Sequence, residues 1–240
     1  MRAKAFLFAI AMLVIVCSSG AQPVKEHGQL KVEGIRLLDE QGRDVMLRGM
    51  SFGWHCFWPR FYTAGAVQWL VKDWKINVIR AALGVEPGEN SYLKRTEWSK
   101  EKIRTVVDAA IRENIYVIID WHSHSINLKE AKEFFAEMAT IYGKNPHVIY
   151  EIFNEPDYES WADVKAYSEE VIKTIRAIDP DNIILVGSPH WDQDVHIVAD
   201  DPLKGYTNLM YTFHYYAATH KQSLRDRGDY ALSKGLTLFI

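Results

Sequence analysis

A parallel β-sheet sheathed in helices, in the form of a (β/α)8 TIM barrel with about seven strands present, is the fold class that the sequence predicts. Three observations predict it. Strand-like runs alternate with helix-period stripes along most of the 240 residues, the rhythm of strands that lie parallel under a helical cover. Seven such runs follow one another, close to the count a closed barrel needs and at a length slightly under the roughly 250 residues typical of one. None is followed by a Gly-x-Gly-x-x-Gly turn or a Walker-type loop, which favours the barrel over a doubly wound nucleotide-binding sheet and predicts no cofactor.

The elements are taken in chain order. Arg2 and Lys4 precede an apolar run from Ala5 to Val16, and Ser19-Gly20-Ala21 offers a small-residue cleavage site, so residues 1–21 read as a signal peptide. The run is too short for a comfortable membrane span. Val16 is bulky where a small residue would precede a lipidated Cys17, which counts against a lipid anchor. The mature protein is therefore expected to be secreted, extracellular or periplasmic, with no membrane attachment after cleavage. Residues 22–28 read as a linker, and residues 29–240 as one barrel domain, truncated at its C-terminus. Gln29 to Val45 reads as a β-hairpin turning at Asp39-Glu40-Gln41-Gly42.

Strands are expected at Val45–Met50, Asn77–Ala82, Tyr116–Asp120, Val148–Phe153, Asn182–Val186, Asn208–His214 and Leu236–Ile240. Helical stripes lie between them. Val67, Leu70, Val71 and Trp74 make the first, and Ile103, Val106, Val107, Ala110 and Ile111 the second. The third runs through Leu128, Ala131, Phe134, Phe135, Met138 and Ile141 to a stop at Gly143. The fourth opens with a Ser160-x-x-Asp163 capping box and carries Val164, Tyr167, Val171, Ile175 and Ile178 before Pro180. Residues 196–204 allow a short helix, and 223–234 a weaker one.

Composition narrows the function. Hydrophobic residues are 48% and charged residues 25%, enough for a sizeable core and against wholesale disorder. A net charge of −3 gives no basic footprint, so neither nucleic acid nor an anionic membrane is expected as partner. Aromatics at 12%, with eight Trp and twelve Tyr, suit a protein that stacks flat-faced ligands such as sugars. Once residues 1–21 are removed only Cys56 remains, which excludes an internal disulfide and a cysteine-based metal site.

A barrel collects its functional groups at the C-terminal ends of its strands. Arg80 ends the second expected strand, Asp120-Trp121-His122 the third with His124 just beyond, and Asn154-Glu155 the fourth. Pro156 has no N–H for a ladder bond, so it stops that strand and releases the amide and carboxylate at its tip. Ser188-Pro189-His190-Trp191 follows the fifth strand, and His214-Tyr215-Tyr216 ends the sixth. One Arg is usually a salt-bridge partner and one His a hydrogen-bonded structural residue. Five successive tips so loaded point to a site.

Two chemistries compete for it. His122-Ser123-His124, with His190 and His214, is a candidate set for metal-assisted hydrolysis. His-x-His alone is a weak signal, and the expectation is no metal. The second is glycoside hydrolysis by two carboxylates. One protonates the leaving oxygen, the other attacks the anomeric carbon, and they stand roughly 5 Å apart in a retaining enzyme. Glu155 supplies one, and Asn154 suits a sugar 2-hydroxyl. The other would best come from across the barrel mouth, at the tip of the seventh strand.

Five ordered segments carry a resemblance. They are Leu47-Arg48-Gly49-Met50-Ser51, residues 77–82 (NVIRAA), residues 117–122 (VIIDWH), residues 149–156 (IYEIFNEP) and residues 211–216 (YTFHYY). From about residue 30 onward the chain resembles glycoside hydrolase family 5, of the endoglucanase (cellulase) type. The resemblance implies a secreted retaining endo-β-1,4-glucanase acting on cellulose or another β-glucan, without metal or cofactor. It implies that Glu155 is the acid/base, that Asn154 binds the 2-hydroxyl and that Arg80 steadies the nucleophile. It further implies that His122 contacts the sugar beside the scissile bond, that His214 sits near the acid/base and that Tyr216 hydrogen-bonds the nucleophile. Trp191 would be a stacking platform.

The sequence departs from the family's pattern in two places. The nucleophilic Glu expected at the seventh strand tip would follow Ile240, and the Trp usual on strand eight is absent. The 240 residues are therefore expected to be an inactive fragment. The first loop, Phe52 to Trp58, is heavily aromatic and fits only some members; its His55 or Trp58 could line a subsite. Mannan, xyloglucan or mixed-linkage glucan remain alternative polymers. A non-catalytic carbohydrate-binding barrel is the alternative class, although binding alone has no use for a proton donor at Glu155.

Overall fold

The computed structural model describes residues 22–240; the expected signal peptide and Cys17 lie outside them. Seven parallel strands form one sheet in simple chain order. They are β3 (Gly49–Ser51), β4 (Val78–Gly84), β5 (Tyr116–His122), β6 (Val148–Glu151), β7 (Ile184–Val186), β8 (Leu209–Thr212) and β9 (Leu238–Phe239). A separate antiparallel pair, β1 (Lys31–Glu33) and β2 (Arg36–Leu38), precedes them. The sheet curls into an incomplete TIM barrel. Helices α3 (Thr96–Glu113), α4 (Leu128–Tyr142) and α5 (Trp161–Arg176) cover its outside, followed by the shorter α7 (Val195–Asp200) and α8 (Gln222–Ser233).

Period-two alternation sorts the strand residues into two cores. Ile79, Ala81, Val117, Ile119, Trp121, Val148, Tyr150, Ile184, Val186 and Tyr211 face outward into the helical layer. Val78, Tyr116, Ile118, Ile149, Leu185 and Met210 face inward and fill the lower barrel. The same inward parity continues upward through Arg80, Asp120, His122, Glu151 and Thr212, so one face of each strand turns from apolar to polar partway along. Gly49 is needed for close approach, because a Cβ there would run into the Val78 carbonyl.

Several expectations are corrected. The segment expected as a linker is helix α1 (Pro23–His27), with Pro23 and Val24 buried. The Val24 N–H donates to the Asn114 carbonyl, so the helix plugs the barrel bottom. The first hairpin turns at Gly34-Ile35, not at 39–42, with Glu33 opposite Arg36. Gly34 supplies the positive φ of 62° that so tight a turn requires. Asp39 to Gly42 makes a second turn, closed by a bridge from Leu38 to Asp44. Its Asp39 carboxylate accepts from the Gln41 and Arg43 N–H groups.

Trp74 leaves the core stripe in which it was expected. Helix α2 (Ala64–Trp69) widens into a π-type turn over Leu70–Trp74. One extra residue per turn advances the phase, so Val67 is buried while Trp74 is 57% exposed. The capping box at Ser160 is formed in both directions with Asp163. Gly143 ends α4 as expected, but in right-handed conformation. It is small there because Asp179 packs against it.

Candidate active site

The inward residues at the upper ends of β4, β5 and β6 meet in one ion cluster. Arg80 reaches Glu151 with two parallel bonds, Nε to Oε2 at 2.6 Å and Nη2 to Oε1 at 2.9 Å. The same Nη2 donates to Asn154 Oδ1 at 2.8 Å and lies 3.0 Å from Asp120 Oδ2. Burial alone would lower the guanidinium's pKa, but Asp120 and Glu151 outweigh it and hold the charge fixed. Burial pushes Glu151 upward against the pull of Arg80. It lifts Asp120 to about 7, again opposed by Arg80. Asp120 and Glu151 are buried, and Glu151 spends both oxygens on Arg80.

His122 shares the inward face with Asp120 two residues earlier. Its Nδ1 lies 2.6 Å from Asp120 Oδ2. Burial first, and then Arg80, hold the imidazole well below its ordinary pKa. A neutral ring that donates from Nδ1 leaves Nε2 as an acceptor. Trp54 lies edge-on to this ring at 4.3 Å and stacks on His124 at 5.5 Å.

The chain leaves β6 after Glu151 and carries Asn154 and Glu155 to the cleft. Backbone bonds from Asn154 N–H to the Trp121 carbonyl and from Glu155 N–H to the Ser123 carbonyl fix both residues against the neighbouring strand end. Asn154 Nδ2 is buried and has no acceptor in the protein, a donor left for a ligand oxygen. Glu155 Oε1 is 2.8 Å from His214 Nδ1, and Oε2 is 3.9 Å from His124 Nδ1. Burial pushes Glu155 upward, but the His214 hydrogen bond and nearby imidazoles win, and its pKa is lowered. Burial pulls His214 downward, yet Asp192 and the Glu155 bond raise it to about 9.

After β7 the chain makes the single turn α6 (Pro189–Asp192). His190, Trp191 and Asp192 are all left-handed there, at φ 53°, 55° and 60°. Three successive non-glycine residues in that region cost roughly 1 kcal/mol or more each, so the surroundings must impose the conformation. The turn presents Trp191, 42% exposed, to an open cleft of about 670 Å³. Trp54, Arg80, His122, Asn154, Glu155 and His214 line the same cleft, as do Tyr216 and Ile240.

All seven residues singled out in the sequence thus come to one cleft. Arg80 is committed to Glu151, Asp120 and Asn154, and Tyr216 is mostly exposed, bonded through its N–H to His220 Nδ1. His55 does not line a subsite: it is buried, accepts from the Gly84 N–H and bonds Ser99. Trp54 takes the place imagined for His55 or Trp58. Of the four histidines of the metal reading, His122, His124 and His214 line the cleft and His190 does not. His190 pairs with Asp194, and no cluster among the described residues could hold a metal ion.

Glu151 and Asp192 were missed as members of the site. Glu151 could have been found as the lone charge in an apolar strand, at the same inward parity as Arg80 and Asp120. Asp192 left no such signal, because its role depends on the turn.

A parallel barrel that gathers a carboxylate, a buried arginine–carboxylate cluster and aromatic walls at its strand tips has the layout of a barrel with its ligand site at the strand ends. The sequence model of cellulase, glycosyl hydrolase family 5, matches residues 38–240, and the chain belongs to that family. It is 45% identical to an endoglucanase of Clostridium saccharobutylicum, over 99% of this chain and 56% of that protein. It is 42% identical to endoglucanase Z of Dickeya dadantii, over 98% of this chain and 54% of that protein. The chain thus spans about half the length of these curated relatives. The catalytic domain of a Thermobifida fusca endoglucanase superposes with a TM-score of 0.85 at 34% identity, covering 92% of this chain and 75% of that one. A variant of that domain has been crystallised with cellotetraose.

Proposed function

We propose that this chain is the greater part of the catalytic barrel of an exported endo-β-1,4-glucanase that cleaves β-glucan with retention of configuration. The observation that carries the proposal is Glu155, among the described residues the one carboxylate that lines the cleft, standing beside the free amide donor of Asn154. Glu155 protonates the leaving oxygen and later accepts a proton from the attacking water. Asn154 Nδ2 holds the 2-hydroxyl, a contact that strengthens as the anomeric centre becomes planar. His122 offers Nε2 to the sugar beside the scissile bond, while Trp54 and Trp191 stack ring faces.

A retaining reaction needs a second carboxylate. Glu151, Asp120 and Asp192 are buried and bonded to protein groups, so none is free to attack. In this reading the nucleophile lies in sequence following Ile240, which already borders the cleft, and Tyr216 and Arg80 are the cleft groups that would face it. A second negative charge close by would also raise Glu155, which His214 otherwise keeps ionised, into the protonated state that the first step requires. Residues 1–21 would direct export; sequencing the N-terminus of the protein recovered from outside the cytoplasm checks this.

Glu155→Gln in the enzyme carrying the sequence beyond Ile240 tests the assignment. It should lower kcat on unactivated glucan by about 10²–10⁴-fold, while the first step on an aryl glycoside with a very good leaving group is spared. Equal loss on both substrates would sink the acid/base role.

A further inference from the structure

We propose that Asp192 is a positioning residue that locks the left-handed turn carrying Trp191 and ties it to His214, so that the stacking wall and the partner of Glu155 are set as one unit. The Asp192 carboxylate is buried. Oδ1 accepts from the Ser188 N–H at 2.6 Å, and the Asp192 N–H returns a bond to the Ser188 carbonyl. The two bonds close the turn on itself with His190 and Trp191 inside it. The Trp191 N–H then donates to the Pro156 carbonyl at 2.9 Å, one residue beyond Glu155.

The other face of Asp192 looks to β8. Oδ2 is 2.6 Å from Thr212 Oγ1 and 3.6 Å from His214 Nδ1. The Asp192 carbonyl accepts from the His214 N–H at 3.2 Å. One residue therefore holds the backbone of His214 and the turn of Trp191 together. Elsewhere in the turn, His190 pairs with Asp194, and at Gly187 a Cβ would meet the Phe153 carbonyl, Pro156 Cδ and the Asp192 carboxylate.

Asp192→Asn preserves the arrangement. Its Oδ1 still accepts from Ser188, and its Nδ2 can donate to Thr212 Oγ1, whose proton turns to the Val186 carbonyl 3.2 Å away. Asn also tolerates the left-handed region. Asp192→Ala loses both side-chain bonds and keeps a Cβ where left-handed backbone is disfavoured. The proposal rests on the reading of Trp191 as a sugar platform only for its binding arm, so two readouts are used.

The first needs no ligand. The Trp191 indole N–H resonance, assigned by its loss in Trp191→Phe, should shift or broaden in Asp192→Ala and stay native in Asp192→Asn. An unmoved resonance in a folded Asp192→Ala protein overturns the proposal. The second is cellotetraose binding by calorimetry. Trp191→Ala and Asp192→Ala should each weaken it about tenfold, the double variant no further, and Asp192→Asn should bind as the parent does. Independent, multiplying losses would overturn the coupling. Normal binding by Trp191→Ala would refute the platform reading alone, leaving the resonance to decide on Asp192.

Discussion

The lower and upper halves of the barrel are built from the same strands and the same inward-facing parity, yet they obey opposite rules. Below, Val78, Tyr116, Ile118, Ile149, Leu185 and Met210 pack against one another, and Val24 and Leu30 close the base. Above, Arg80, Asp120, Glu151, His122 and Thr212 occupy the next inward positions, beside a strained turn and an unpaired amide. The lower half gains by excluding water from apolar surface. The upper half gives up that gain and holds charges in place instead. The contrast predicts where a substitution should cost stability alone and where it should cost stability and chemistry together.

Arg80→Met should break the contrast most severely. It leaves Glu151 and Asp120 buried without their shared cation, at a cost of about 3–5 kcal/mol. Denaturant unfolding should find the loss smaller in acid, where both carboxylates take up protons. Glucan hydrolysis should vanish with it, because Asn154 loses the bond that aims its amide. Stability equal to the parent at neutral pH would mean that the cluster is not the keystone of the upper half.

Ile149→Ala is the matched test below. Ile149 is 1% exposed on β6, two residues before Glu151. The cavity should cost about 2–5 kcal/mol, yet kcat and KM of the folded enzyme should stay as they were. A fall in kcat comparable with the fall in stability would show that the halves are mechanically coupled.

The halves should also part in their response to pH. His214 has a folded pKa raised from 6.5 to about 9. Its stabilising contribution is therefore complete below pH 6.5 and is lost as pH rises through 9. Asp120, raised from 3.8 to about 7, likewise costs stability as it ionises across that interval. Glu155, lowered from 4.5, acts in the other sense and loses its contribution as pH falls below 4.5. The melting temperature should thus decline from about pH 6.5 to 9, and His214→Gln should flatten that decline. An unchanged slope in the variant would remove His214 as its source.

What could be read from the sequence follows the same division. Strand parity and apolar runs are local, so the seven strands, their order and the polar tips were legible, and with them all seven residues that converge on the cleft. The five ordered motifs carried the family. Features set by long-range geometry were not legible. The π-type turn that swings Trp74 outward depends on a hydrogen-bond shift that the spacing of Val67, Leu70 and Val71 does not encode. The tight turn at Gly34 was overlooked because Asp39 to Gly42 is richer in turn residues, and both turns are formed. Burial of α1 needs a barrel bottom to cover. Asp192 acts only once β7 and β8 are side by side, and Trp54 becomes a cleft wall only when β5 places His122 beneath it.

The smallest effect expected is also the sharpest probe of the division. Tyr116 stands at the start of β5 on the inward face, fully buried, and its hydroxyl donates to the Gly28 carbonyl at 2.8 Å. That bond fastens α1 to the barrel wall. Tyr116→Phe keeps the ring and its packing against Ile118 and Ile149, and removes only the donor. Gly28 is half-buried, so water can take the donor's place and the cost should stay within the ordinary net range for a hydrogen bond, about 0.5–1.5 kcal/mol. Hydrogen exchange should localise the change to residues 23–30, with amides of β5 near His122 untouched. Glucan turnover should be unaltered, since the inward layer of Ile118 separates Tyr116 from Asp120. Altered exchange at His122, or a shift in the pH profile, would mean that the base transmits strain to the mouth and that stability and chemistry in this barrel cannot be assigned to separate ends.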